Sequence, residues 1–165
     1  MPRRVFFSFH FANDYWRTQQ VRQINALEGQ KLATPNAWET VKRAGDASIR
    51  RWIDANMDGK SCVVVLVGAQ SAERSWVRYE IQKAWNEGRG LLGIRIHKLL
   101  DVNGRPSNAG ANPFERLTFQ GSTRSLADIA PLKSPAGRDS RATYASIALN
   151  IEAWIEQAIR IRKAA

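Results

Sequence analysis

Cysteine is nearly missing from this chain of 165 residues. The single one, Cys62, excludes an intramolecular disulfide, and its place inside a valine-rich run predicts a buried small hydrophobe. Long apolar runs are missing as well. The longest, Cys62 to Val67, is far too short to cross a bilayer, and the N-terminus has no apolar stretch of the signal-peptide kind. These absences predict a soluble, cytoplasmic protein with no membrane partner. Histidine is scarce: His10 and His97 stand apart, and neither has a second ligand at metal-binding spacing, so no metal is expected. Gly88, Gly90 and Gly93 fall at a helix end and within a strand, not in a strand-to-helix turn, which removes a phosphate-cradling glycine loop. A nucleophile elbow is absent too.

Acidic residues are in deficit, 15 against 25 Lys and Arg, for a net charge of +10. A nucleic-acid binder concentrates such an excess, because neighbouring cations release counterions from phosphates. Here Lys and Arg against Asp and Glu number 10 and 6 over residues 1–60, 9 and 6 over 61–132, and 6 and 3 over 133–165. The charge is dispersed, so nucleic acid is set aside as a partner beyond weak, salt-sensitive contact. An evenly basic surface is first of all a solvated one, and it can also steer a polyanionic small molecule inward.

What the chain has in quantity is core material: hydrophobic residues make up 44%, enough for one ordinary domain over residues 1–165. Val5 to Phe9 reads as a buried first strand. Asn13 or Asp14 is placed to cap a helix carrying Trp16, Val21, Ile24 and Leu27, with Gly29 as its stop. Residues 30–45 accommodate a short edge strand before Trp38 and a brief helical turn around it. Asp46 reads as the cap of a helix with Ile49, Trp52, Ile53 and Met57 on one side and Gly59 beyond its end. Ser61 to Val67 has the unbroken apolar character of a central parallel strand. A helix follows from about Ser75 to Glu87, then a strand over Leu91 to Ile96. An irregular stretch over about 101–141 is expected next, in which Leu117 to Phe119 is a candidate edge strand. The last helix, about 142–162, shows a continuous stripe through Ile147, Ile151, Ile155 and Ile159. Alternating strands and helices predict an α/β fold with a central parallel sheet, helices on both faces and the flavodoxin-like order 2-1-3-4-5.

In open α/β sheets ligands sit beyond the carboxyl ends of the strands, which points to residues just after the first and third strands. Glu80 lies one helix beyond the third. At about 100° per residue, it falls about 60° from Val77 and about 40° from Ala84, at the border of the buried stripe rather than opposite it. The bland alternative is a solvated glutamate paired with Lys83 or Arg78.

The residues also resemble a known family. Val5 to His10, followed by Asn13, Asp14 and Trp16, is similar to the first box of Toll/interleukin-1-receptor (TIR) domains. Gly45 to Val67 resembles the second helix and third strand of that fold. Ser75 and Trp76, three intervening residues and Glu80 match the TIR catalytic pattern. Asp101 to Gly104, Ser107, Gly110 and Asn112 to Phe114 resemble the bacterial TIR-like subfamily typified by the Thoeris anti-phage sensor. The resemblance spans residues 3–119 and the last helix. The Arg-Asp and Pro-Gly loop of signalling TIR domains has no counterpart before Asp46.

This resemblance implies cleavage of NAD between nicotinamide and ribose, with Glu80 as the catalytic residue and Phe9, His10, Asp14, Trp38 and Trp76 at the substrate. NAD is the substrate and no separate cofactor is implied. Also implied are ADP-ribose or a cyclic ADP-ribose isomer as product, a separate effector protein that reads it, and self-association through TIR-like contacts. Two other readings remain open on the residues: a TIR-like interaction module without catalysis, and a nucleoside deoxyribosyltransferase-like enzyme. A phosphorylated receiver domain is excluded, because the third strand ends without the required Asp.

Overall fold

A computed structural model describes residues 3–24, 27–119 and 121–165. Five strands form one parallel sheet: β1 (Arg3–Ser8), β2 (Leu27–Gly29), β3 (Cys62–Val67), β4 (Gly90–Arg95) and β5 (Leu132–Lys133). Their order is β2-β1-β3-β4-β5, as the alternation of elements predicts. The helices are α1 (Phe11–Arg22), α2 (Pro35–Arg43), α3 (Asp46–Met57), α4 (Ser75–Asn86) and α5 (Ser140–Ala164).

Strand periodicity divides the core. Val5 and Phe7 of β1, with Cys62, Val64 and Leu66 of β3, pack on one side against Val21 of α1 and the isoleucines of α5. Phe6, Val63, Val65 and Val67 face the other way, onto Ile49 and Ile53 of α3 and Val77 and Ile81 of α4. All six residues of β3 are buried, because it lies between two strands and under helices on both faces. Ser8 shares the parity of Phe6 and pairs in register with Val65, so the end of β1 delivers its hydroxyl toward α4.

Several sequence expectations are corrected. The first helix stops at Arg22 rather than running on to Gly29, and Leu27 and Gly29 sit in an edge strand, opposite Arg3 and Val5. Gly29 is no helix stop: a Cβ there would lie 2.3 Å from the Phe7 ring, so the missing side chain is what admits that ring. Neither Asn13 nor Asp14 caps α1, which starts one turn earlier with His10 at the N-cap. Gly45, at φ 96°, caps α3 and leaves Asp46 in the first turn, where its charge suits the helix dipole. The brief turn expected near Trp38 is the nine-residue α2, opened by Thr34 accepting a hydrogen bond from the Ala37 amide and by Pro35 in the first turn. Near Leu117–Phe119 there is one antiparallel bridge, Thr118 to Ser125, instead of a strand. The fifth strand is Leu132–Lys133, two residues paired with Gly93 and Ile94, too short to leave a period in the sequence.

Candidate active site

Three elements meet beyond the carboxyl ends of β1 and β3. Phe9, His10, Phe11 and Ala12 continue from β1 into α1, Trp38 and Lys42 come from α2, and Arg74, Trp76, Val77 and Glu80 come from the start of α4. Trp52 of α3 completes the wall, with Phe7, Leu32 and Ala33 behind it. Together they enclose a cleft of about 260 Å³.

Glu80 is the only carboxylate lining this cleft among the described residues, and it is 7% exposed. The Ser8 hydroxyl donates to its Oε1 at 2.6 Å, joining the tip of β1 to α4 across 72 residues of chain. Burial pushes the Glu80 carboxyl up to about 8, against the pull of the Ser8 hydrogen bond, which favours the ionised form. The solvated alternative for Glu80 is overturned by the partners of its neighbours. Lys83 pairs with Glu87 and Asp54, and Arg78 donates to the Ala72 carbonyl.

Aromatic rings make the wall. Phe11 stacks between Phe9, at 5.7 Å between centroids, and Trp38, at 5.3 Å, with interplanar angles of 25° and 20°. Trp52 meets the edge of Trp38 at 5.5 Å, and Trp76 meets Tyr79 in a T-shaped contact. None of Phe9, Phe11, Trp38, Trp52 and Trp76 is fully buried, so each keeps surface toward solvent.

At the rim, the Arg74 guanidinium lies 3.3 Å from His10 Nε2. His10 is held below the usual histidine range by burial and by the Arg74 charge, with Glu73 acting in the opposite sense. A neutral imidazole accepting from Arg74 at Nε2 carries its proton on Nδ1, and that buried atom has no hydrogen-bond partner.

Of the residues expected at the substrate, the fold brings Phe9, His10, Trp38, Trp76 and Glu80 together. Asp14 is not among them. It is fully buried beneath the site, bonded to Arg17 at 2.8 Å, and its second oxygen faces Gly68, where a Cβ would lie 2.0 Å away. Ser8, Phe11, Lys42, Trp52 and Arg74 belong to the site and were not singled out from the sequence. Ser8 alone left a signal there, as the polar end of an otherwise apolar strand. Phe11, Trp52 and the two cations enter only because helices far apart in sequence converge.

A family model for the TIR-like domain of the Thoeris protein ThsB matches residues 6–101, a span that holds the end of β1, the aromatic wall and the Ser8–Glu80 contact. The chain belongs to this family. A protein of Bacillus cereus (strain MSX-D12) named "Putative cyclic ADP-D-ribose synthase ThsB1" is 33% identical over 126 residues, covering 73% of this chain. The chain spans 65% of that relative's length. Within the TIR-like domain, the family match and the acid-bearing cleft coincide, whereas α5 and the irregular stretch before it lie outside the matched residues.

Proposed function

We propose that this TIR-like domain cleaves the bond between nicotinamide and ribose in NAD, giving ADP-ribose or a cyclic ADP-ribose isomer as a signal in anti-phage defence. The observation that carries this reading is the buried Glu80 carboxyl, fixed by Ser8 at 2.6 Å inside an aromatic cleft. When the N-glycosidic bond breaks, its electron pair leaves with the nicotinamide nitrogen and positive charge builds on the ribose. An ionised carboxylate beside that carbon stabilises the charge, and low surrounding polarity strengthens the effect. Nicotinamide is already cationic in NAD and departs neutral, so no general acid is required. One carboxylate suffices, and one is what the cleft has. Water, or a nucleophilic atom of the same ADP-ribosyl group, then captures the cation.

The raised pKa fits a site that charges on binding. An empty cleft favours a protonated Glu80 at neutral pH, and the cationic nicotinamide ring supplies the counter-charge that favours ionisation. The partly exposed aromatic residues that line the cleft suit a cationic ring. Self-association into an active assembly, a cytoplasmic setting and a separate effector that reads the product belong to the same proposal. The name of the Bacillus relative supports a cyclic product, and these further parts follow from the resemblance to TIR-like proteins.

Concentrated protein incubated with NAD is expected to release nicotinamide, seen by chromatography and mass spectrometry. Glu80→Gln, which keeps the size of the side chain and its hydrogen bond to Ser8, is expected to lower the rate by at least a hundredfold. Equal rates in the two proteins would remove Glu80 from the chemistry. Base exchange between nucleosides with NAD untouched would instead identify a transferase of the deoxyribosyl type.

A further inference from the structure

The cleft is smaller than its proposed substrate. Ligand pockets that enclose most of a drug-sized molecule run from about 300 Å³ upward, whereas this one encloses about 260 Å³. On the NAD reading the cleft has room for the part of the substrate nearest Glu80, which leaves the rest of a dinucleotide for the rim. Charge along that rim is uneven. The buried acid is Glu80, while the exposed charged residues lining the cleft, Lys42 and Arg74, are both cations.

We propose that Arg74, held by His10 and assisted by Lys42, binds the diphosphate of the dinucleotide and makes the site select diphosphate-linked substrates over simple nucleosides. This rests on the NAD reading above and names the residues that read the part of the substrate remote from the reacting bond.

Position along α4 supports the assignment. Arg74 is the N-cap residue and Glu80 lies six residues on, about 9 Å of helix rise. With side-chain reach, that separation suits a ribose whose anomeric carbon faces Glu80 while its 5′ phosphate ester faces the helix start. The His10 contact restrains the guanidinium without neutralising it, since a neutral imidazole carries no charge and accepts through Nε2. Among the described residues no carboxylate lies within ion-pair distance of Arg74, so its charge is free for an anionic ligand. Lys42 is partly committed, pairing with Glu39 at 3.1 Å on an exposed face, and acts as the weaker, movable member. No side chain caps the α4 terminus, which leaves its first amides oriented toward the same region.

The test is calorimetric titration of ADP-ribose and of nicotinamide riboside into wild type, Arg74→Ala, Arg74→Lys, Lys42→Ala and the surface control Arg160→Ala. Arg74→Ala is expected to weaken ADP-ribose roughly tenfold, the loss of one charged hydrogen-bonding group. Lys42→Ala is expected to weaken it severalfold, and Arg74→Lys to recover most of the affinity. Nicotinamide riboside, which has no diphosphate, is expected to bind all variants alike. Wild-type affinity in Arg74→Ala overturns the proposal, as does an equal loss in Arg160→Ala, an equal loss for nicotinamide riboside, or no binding of ADP-ribose to wild type. Binding of ADP-ribose that depends on Arg74, in a protein that never releases nicotinamide, sustains this inference and refutes the NAD-cleavage reading.

Discussion

Glu80 and Ser8 form the smallest unit on which the proposed chemistry depends. The carboxyl is buried enough to resist charging, and among the described residues Ser8 Oγ is the only hydrogen-bonding group that opposes that resistance. The proposed cleavage needs the ionised form, so kcat/KM for NAD is expected to rise with pH and level off above about 8, the value for the free protein. In kcat the midpoint moves lower, because bound nicotinamide favours the carboxylate. Ser8→Ala removes a bond to the charged form and pushes the Glu80 carboxyl higher still. We expect kcat/KM at pH 7 to fall roughly tenfold, with partial recovery at pH 9. A pH-independent loss of the same size would make Ser8 a packing residue only.

At the scale of elements, a buried ion pair whose side chains lie outside the cleft lining anchors the helix that starts at the site. Arg17 of α1 is 3% exposed, bonds Asp14 in its own helix, and donates to the carbonyls of Leu99 and Arg105 in the segment after β4. It thereby ties the helix that carries Phe11 to the loop beyond the sheet. Burial raises the Asp14 carboxyl and the Arg17 contacts lower it, with burial the larger influence. Asp14→Ala leaves the buried guanidinium with only Asp101, at 4.0 Å, as a counter-charge among the described residues, and breaking a buried pair in this way typically costs up to about 3–5 kcal/mol. Urea unfolding is expected to show a loss of that order, and a near-neutral result would mean the loop carbonyls alone satisfy Arg17. The same crowding explains Gly68, whose missing side chain leaves space for the Asp14 carboxylate.

The folding equilibrium belongs to the whole molecule, and Glu80 weakens it. Its folded pKa, about 8, lies above the ordinary 4.5. The contribution to stability is therefore intact below about pH 4.5 and is lost as pH rises through 8. Glu80→Gln carries no such penalty. The variant is expected to be more stable than wild type by a few kcal/mol at pH 8, with the gap closing as pH falls toward 5. Denaturant titrations at both pH values check this, and a gap that stays constant would place the carboxyl in a wetter environment.

Local pattern was enough for much of this protein. The unbroken apolar run of β3 and the isoleucine period of α5 marked those elements, because hydrophobic periodicity acts over a few residues and is written directly in the chain, and the alternation of strand with helix pointed to the sheet order that the fold shows. The half-sheltered place of Glu80 on α4 was legible for the same reason, and the resemblance to TIR boxes is what suggests a role for it. Tertiary structure alone decided the rest. Leu27 is apolar enough to extend a helix, yet pairing with Arg3 turns it into an edge strand. Asp14 reads as a helix cap, yet an interior guanidinium claims it. Two-residue β5 exists only because β4 offers it an edge. The aromatic wall and the Arg74–His10 contact join residues separated by tens of positions, and no local period records which distant side chains a folded sheet will bring to one end.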